Sequence, residues 1–269
     1  MNVAAGSPHQ ALVRKLSRFL RLSRRDVAAL ADLTKRVRRL PARTSIVAEG
    51  DVPQSAFVLV DGMACRFRIL SDGRRQIMSF IIPGDICDVQ AAMLKRMDHS
   101  IGTIVATSIA TIARDRLLAL TTQHPRINAA LWWTALQDQA IQREHVVALG
   151  RRNAHERVAY FLCELVWRLS THGLGRRDAI ELPVTQADIA DLLGLTPVHV
   201  NRVLQDFRKQ NLIALERRQL RLLDMERVAG IAELSPQYLL LDGAPAAIEL
   251  ECDRQERLMG LQTPLGTAY

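Results

Sequence analysis

Val198, Asn201, Arg202, Gln205 and Arg208 share one flank of the segment PVHVNRVLQDFRK at helical spacing. Together they offer an apolar contact, two amides and two guanidinium forks. Groups of this kind can read the edges of base pairs: arginine pairs bidentately with guanine, asparagine or glutamine with adenine, and an apolar side chain meets the thymine methyl. The opposite flank carries Val200, Val203, Leu204 and Phe207, which would bury the helix against a neighbour. A surface helix pair with a merely polar outer flank has the same composition, so the surrounding elements must distinguish the two.

Thr185 followed by Asp188 is a capping-box signature, and Ile189, Leu192 and Leu193 then fall on one buried face with the small Ala190 between them. Gly194 suits the left-handed residue that ends a helix, and Thr196 with Pro197 suits the cap and first residue of the next. Thr185 to Lys209 therefore predicts a helix-turn-helix. Downstream, Asn211 to Leu215 and Leu220 to Leu223 flank Glu216-Arg217-Arg218-Gln219, which reads as a hairpin with a basic tip. The unit is a winged helix-turn-helix.

Pro183 to Asp224 resembles the C-terminal domain of the cyclic-AMP receptor protein and fumarate-nitrate regulator (CRP/FNR) superfamily of bacterial transcription factors, above all in LGLTPVHVNRVLQ, the following NLI and the wing. The resemblance spans about residues 15 to 228 and implies an α+β fold. Its parts are an N-terminal jelly-roll-like β-roll of the cyclic-nucleotide-binding type, a long dimerisation helix and the C-terminal winged helix-turn-helix. The expected division is 1–120 for N-terminal helices and roll, 121–150 for the dimerisation helix, 151–228 for the DNA-binding domain and 229–269 for an extension outside the resemblance. A non-enzymatic, cytoplasmic homodimer is implied, binding an inverted repeat of double-stranded DNA, with RNA polymerase as a further partner to consider. Carried over by position, Val198, Asn201 and Arg202 are the base-reading residues. Arg202 matches the arginine that contacts a guanine in both namesake regulators. Val198 departs from both, because it stands where they carry a base-reading glutamate; a valine cannot accept from cytosine, so the operator is expected to differ at that base pair. Gln186, Thr196 and His199 are expected to make phosphate or positioning contacts, which orient without specifying.

Composition agrees with a globular two-domain chain: 269 residues, 48% apolar and 24% charged. No apolar run is long enough for a membrane span. The net charge of +8 is compatible with a polyanionic partner, but most of the excess lies in the first 40 residues and the C-terminal extension is acidic on balance. A solvated basic face explains the N-terminal excess as well as DNA contact does. Cys65, Cys87, Cys163 and Cys252 are far apart and lack C-x-x-C spacing, so no metal or cofactor is expected from them.

Residues 1–9 are expected to fray. Two helices come next: Leu12, Leu16, Phe19 and Leu20 on one face of the first, then Val27, Leu30 and Leu33 on a second capped by Ser23. From Thr44 to about Ala113 short Val, Ile and Phe-rich runs are punctuated by Gly50, Gly62, Gly73 and Gly84, the interval of strands joined by turns. Pro125 opens a helix predicted to reach Leu149 and stop at Gly150, about 37 Å long. Ile127, Leu131, Thr134, Asp138, Ile141, His145 and Ala148 form its three-and-four seam, read as the dimer seam. The competing reading packs this helix on its own roll through Trp132 and Trp133. Leu149 to Asn153 is the expected hinge, Met225 to Leu234 a closing helix, and Tyr238 to Leu241 a further strand, with the last residues of the chain loosely ordered.

Whether the roll takes an effector stays open. The stretch Ile86 to Ala91 through Asp98 to Thr103 lacks the Gly-Glu pair and the arginine beside a small hydroxyl residue that nucleotide-binding members use, and His99 replaces a fixed cation only in part. Cyclic AMP and cyclic GMP are disfavoured on that ground. Neither the N-terminal cysteine cluster of oxygen sensors nor the closely spaced His and Glu ligands of a cupin enzyme is present. Two alternatives stand beside the regulator: a cyclic-nucleotide-dependent version of it, and a small-molecule-binding roll whose C-terminal helices serve protein contacts without DNA. Effector, operator, activation or repression, and the role of the extension are not legible.

Overall fold

The computed structural model describes residues 8–87, 89, 93–176 and 178–261; the expected fraying of residues 1–7, the roll positions Asp88, Gln90 and Ala91, and the last eight residues lie outside them. Helix α1 (Gln10–Leu16) leads to α2 (Arg24–Leu33), which starts at Ser23 through a reciprocal box with Asp26. Leu12, Leu16, Leu30 and Leu33 are buried together against the roll, as their spacing requires.

Eight strands form the roll: β1 (Val37–Leu40), β2 (Ser45–Val47), β3 (Ser55–Asp61), β4 (Ala64–Ile69), β5 (Arg75–Ile81), β6 (Ile86–Cys87), β7 (Ser100–Thr103) and β8 (Thr107–Ala113). They make two four-stranded antiparallel sheets, ordered β1-β8-β3-β6 and β2-β7-β4-β5. Phe57, Leu59, Ile81, Ile101 and Ile109 interleave in one core cluster of the roll. The first strand begins seven residues before the texture change at Thr44, because an edge strand reading VRRL has no apolar alternation and is fixed only by pairing with β8. Two of the spaced glycines are structurally required. A Cβ at Gly62 would sit 2.6 Å from the Ala106 carbonyl oxygen, and one at Gly84 would sit 2.7 Å from that of Ala11. Both have positive φ.

After the roll come α3 (Arg114–Gln123), α4 (Pro125–Arg151) and α5 (Ala154–Thr171). Helix α3 absorbs Thr121 to Gln123, which carry no helical signal of their own. Helix α4 has 27 residues, about 40 Å, and runs through Gly150 instead of stopping there. The chain turns at Arg152 and Asn153, both extended, and Asn153 caps α5 with Glu156. The physical reason is Arg157: its guanidinium takes the carbonyls of Leu149 at 2.9 Å, Arg152 at 2.8 Å and Leu193 at 3.0 Å, satisfying the end of α4 from outside.

The seam expected to pair with a second copy is instead turned inward. Ile127, Leu131, Thr134, Ile141, His145 and Ala148 are buried within the chain itself. Nor does α4 meet the roll through its tryptophans: Trp132 is 67% exposed, and Trp133 packs on Phe19 with its indole N–H donated to the Leu240 carbonyl.

The C-terminal part contains β9 (Ala179–Glu181), α6 (Gln186–Leu193), α7 (Pro197–Lys209), β10 (Ile213–Glu216), β11 (Gln219–Leu222) and α8 (Met225–Ile231), with its sheet ordered β10-β11-β9. The strand expected at Tyr238 to Leu241 is a 3-10 turn, Pro236–Leu239, followed by Leu240 in the left-handed conformation. The extension then forms a further helix, α9 (Ala246–Leu258), packed against α4 and not expected from the sequence; the last residues, expected to be loose, lie outside the described residues.

The roll and the C-terminal part share one continuous apolar cluster, in which Met63, Ile77, Phe80 and Ile82 meet Phe161, Leu165, Leu192 and their neighbours. A buried charge network crosses the same junction. Asp85 of the roll pairs with Lys15 at 2.5 Å and with Arg168 of α5 at 2.9 Å, and Arg168 also holds Glu164 at 3.0 Å. Burial works to raise the Asp85 carboxyl, but Lys15 and Arg168 outweigh it and hold it below the usual carboxylate range. Beside this network, burial and then the nearby Lys15 push His172 down to about 3. Its unfolded value is about 6.5, so the folded chain refuses a proton that the unfolded chain accepts. Its contribution is complete above about pH 6.5 and declines as pH falls toward 3, by at most about 1.4 kcal/mol per unit. Urea unfolding at pH 6.5, 5.5 and 4.5 should therefore show a shallower loss for His172→Gln than for the parent; parallel losses would remove His172 from the account.

Candidate nucleic-acid interface

The helix-turn-helix forms as its local chemistry dictates. The Thr185 hydroxyl accepts from the Asp188 amide while the Asp188 carboxylate accepts from the Thr185 amide at 2.9 Å, so two orphan donors of α6 are satisfied at once. Gly194 ends α6 at φ 62°, and Thr196 caps α7 by accepting from the His199 amide. Val200, Val203, Leu204 and Phe207 are buried against α5 and α6.

The other flank stands clear of its own chain. Val198 is 77% exposed, and Arg202, His199, Gln205 and Arg208 are exposed around it. Asn201 is half-buried in a line of amides: it donates to the Gln186 side chain at 3.1 Å and accepts from Gln205 at 2.9 Å. Of the six residues singled out in the sequence, Val198, Asn201 and Arg202 thus lie on one outward surface of α7, with His199 and Thr196 at its N-terminal end and Gln186 reaching across from α6. Gln186 contacts Asn201 directly, a link that their separation of 15 residues does not announce.

The wing presents Arg217 and Arg218 at the tip of the β10–β11 hairpin, both exposed and both with positive φ. Two left-handed residues give the primed turn that matches strand twist. The hairpin is secured by the Leu182 amide, which donates to the Arg218 carbonyl at 2.7 Å.

Sequence reasoning missed what holds this unit in place. Arg43 of the roll grips Asp188 bidentately at 2.6 and 2.8 Å, while Arg75 bonds Asp188 at 2.7 Å and Asp191 at 2.7 Å. The Gln76 side chain adds a hydrogen bond to the Leu192 carbonyl at 3.0 Å. Helix α6 is therefore docked on β5 with α7 facing away. Burial would raise the Asp188 carboxyl, yet the hydrogen bonds from Arg43, Thr185 and Arg75 outweigh it and hold it well below the usual range. No local signal separates Arg43 and Arg75 from the other arginines of the chain.

Between the roll and α4 lies a cavity of about 420 Å³ whose lining includes Arg66, His99, Thr134, Asp138, Gln142 and Arg143. Arg66 bonds Ser79 at 3.3 Å and Asp138 at 3.4 Å, so part of its charge is already answered by a carboxylate. Among the described residues no cluster of His, Cys, Asp or Glu is arranged for a metal ion. The four cysteines are free and buried, and burial pushes the Cys65 and Cys163 thiols up to about 12.

A docked winged helix-turn-helix with a free recognition flank, joined by a long helix to a cyclic-nucleotide-binding-type roll, defines a DNA-binding transcriptional regulator. Family models agree: residues 37–124 match the cyclic nucleotide-binding domain, and residues 156–231 match the Crp-like helix-turn-helix domain. The nitrogen fixation regulation protein FixK of Bradyrhizobium diazoefficiens is 32% identical over 210 residues, covering 77% of this chain and 87% of that protein. The transcriptional activatory protein AadR of Rhodopseudomonas palustris is 30% identical, over 74% and 82%. The solved structure of FixK2 from Bradyrhizobium japonicum superposes with a TM-score of 0.68 at 27% identity, covering 74% of this chain and 98% of that one. The chain belongs to the CRP/FNR family of transcriptional regulators.

Removing the Asp188 carboxylate should strip the α6 cap and leave Arg75 and Arg43 without their acceptor. Asp188→Ala is expected to lose about 2 to 4 kcal/mol in urea unfolding, and Asp188→Asn, which keeps a cap oxygen, about 1 kcal/mol less. A loss below about 1 kcal/mol for the alanine variant would mean that the docking contact contributes nothing.

Proposed function

We propose that the protein is a homodimer that binds an inverted repeat in duplex DNA, reading bases with Val198, Asn201 and Arg202 and acting without a cyclic nucleotide. The observation that carries this reading is the free outward flank of α7, unobstructed by the roll although α6 is docked on it. Arg202 reads a guanine, Asn201 an adenine, and Val198 a thymine methyl. Thr196, His199 and the wing arginines Arg217 and Arg218 meet phosphates, which set register without specifying sequence. Gln186 positions Asn201 through their shared hydrogen bond.

Dimerisation uses a different stripe of α4 from the one its sequence suggested. Trp132, Leu136, Gln139, Arg143, Val146 and Gly150 alternate by four and three along the exposed side, with Trp132 and Val146 each 67% exposed. A stripe of Trp132, Leu136 and Val146, interrupted by Gln139 and Arg143, on a 27-residue helix fits a two-fold copy of itself, which buries the same surface on both protomers. Gln139 and Arg143 belong both to this stripe and to the cavity lining, so a partner helix would border the cavity. Two α7 helices related by such an axis suit half-sites about 34 Å apart. RNA polymerase is the further partner that such a bound regulator would meet.

Selection from random duplexes should return a two-fold symmetric site. Arg202→Ala should cost about 1 to 3 kcal/mol on that site and relax one position in each half. Equal losses on selected and random DNA would show that Arg202 does not read a base.

A double change on the exposed stripe, Trp132→Glu with Val146→Glu, should yield monomers in analytical ultracentrifugation. Affinity for the full site should fall by about 100-fold or more as the second half-site contact is lost. A dimer that survives both changes would place the interface elsewhere.

A further inference from the structure

The chain continues beyond the helix-turn-helix domain, which ends at residue 231, and its C-terminal extension leaves α8 to span α5 and the long helix. From α8 the extension runs back to the long helix. The 3-10 turn Pro236–Leu239 packs against both α4 and α5, the two helices on either side of the bend at Arg152 and Asn153. Leu239 is fully buried there. Its carbonyl accepts from the Gln137 side chain at 2.5 Å, and the Leu240 carbonyl accepts from the Trp133 indole at 3.0 Å. The segment then crosses to the N-terminal helices, where the Ala244 amide donates to the Phe19 carbonyl at 2.5 Å.

Helix α9 completes the crossing with a charged anchor. Arg126 at the start of α4 is 2% exposed, and it pairs with Asp253 and, at 3.1 Å, with Glu256, both on α9. A guanidinium this deeply buried is costly without acceptors, so α9 and Arg126 hold each other in place. Two acidic residues of the extension thus answer one buried guanidinium of α4.

We infer that residues 235–258 are an intramolecular strap. It ties the DNA-binding part to the long helix across the bend and holds it in the orientation that leaves α7 open to DNA. The docking of α6 by Arg43 and Arg75 grips the DNA-binding part from the roll, and the strap grips the helices that flank the bend. With both in place, rotation at Arg152 and Asn153 requires breaking contacts at two separate places. A regulator restrained in this way spends most of its time binding-competent without a ligand, because apparent affinity scales with the competent fraction. The consequence for DNA rests on the proposed function; the mechanical role does not.

The test removes the strap after folding. A protease recognition sequence inserted after Glu233, in the exposed link between α8 and the turn, allows the folded protein to be cut, and gel filtration in mild urea then strips the released segment from α4 and α5. Hydrogen exchange should then accelerate by about 10-fold or more over residues 149–157 and at the backbone amides of α6, which is docked on β5. Apparent Kd for the selected duplex should rise by about 10-fold, while the uncut insertion protein behaves as the parent. Trp133→Phe, which keeps the stack on Phe19 but deletes the indole donor, should move both readouts the same way by a smaller factor. Unchanged exchange at the bend after removal of the segment overturns the strap, and so does equal or tighter DNA binding by the stripped form. If the uncut parent fails to shift the duplex, the DNA reading fails alone, and the exchange measurement still decides the strap.

Discussion

Asp188 is the point on which the geometry of the DNA-binding unit depends. One of its oxygens closes the cap of α6 with Thr185, and the carboxylate as a whole accepts from Arg43 and Arg75 of the roll. A single anionic group therefore starts the first helix of the pair and fixes that helix to another domain. The desolvation of a carboxylate with 1% of its side chain exposed is offset only because several donors converge on it. That convergence also dictates which way α7 faces: once α6 lies on β5, the helix packed across it must present its polar flank to solvent.

The same solution recurs along the junction. Lys15, Asp85, Arg168 and Glu164 alternate in sign through a buried interface, and Arg157 collects the terminal carbonyls of both α4 and α6. Around these polar anchors the apolar cluster runs without a break from the roll into the helix-turn-helix. Apolar packing supplies most of the cohesion, being non-directional, whereas the ion pairs and carbonyl bonds select one docking angle among many that would bury similar area. A regulator whose parts share a core in this way differs from two beads on a flexible linker, since motion at Arg152 and Asn153 disturbs both kinds of contact.

Helix α4 shows how one periodic sequence serves three surroundings. The stripe with Ile127, Leu131 and Ile141 is covered by the body of the protein, the stripe with Arg126, Trp133 and Gln137 by the C-terminal extension, and the stripe with Trp132, Leu136 and Val146 is left bare. Apolar residues nearly all round a helix mark burial on several sides. The pattern does not say which side belongs to which neighbour, so the inward stripe reads from sequence as the outward one.

The sequence alone determined what short-range chemistry can determine. Thr185 with Asp188, Gly194 and Thr196-Pro197 fix their own caps and turn within a few residues, so the helix-turn-helix, the exposure of Val198 and Arg202 and the basic wing are legible from residue types and spacing. The spaced glycines mark the turns of the roll for the same reason. Only the tertiary structure decided the grip of Arg43 and Arg75 on α6, the run of α4 through Gly150 to the far end of the expected hinge, the link from Gln186 to Asn201, and the course of the extension over Trp133 and Arg126. Each of these joins residues distant in the chain through a guanidinium, an amide or an indole. Such donors are common on surfaces, and nothing in their own neighbourhood reveals the acceptor that folding brings to them.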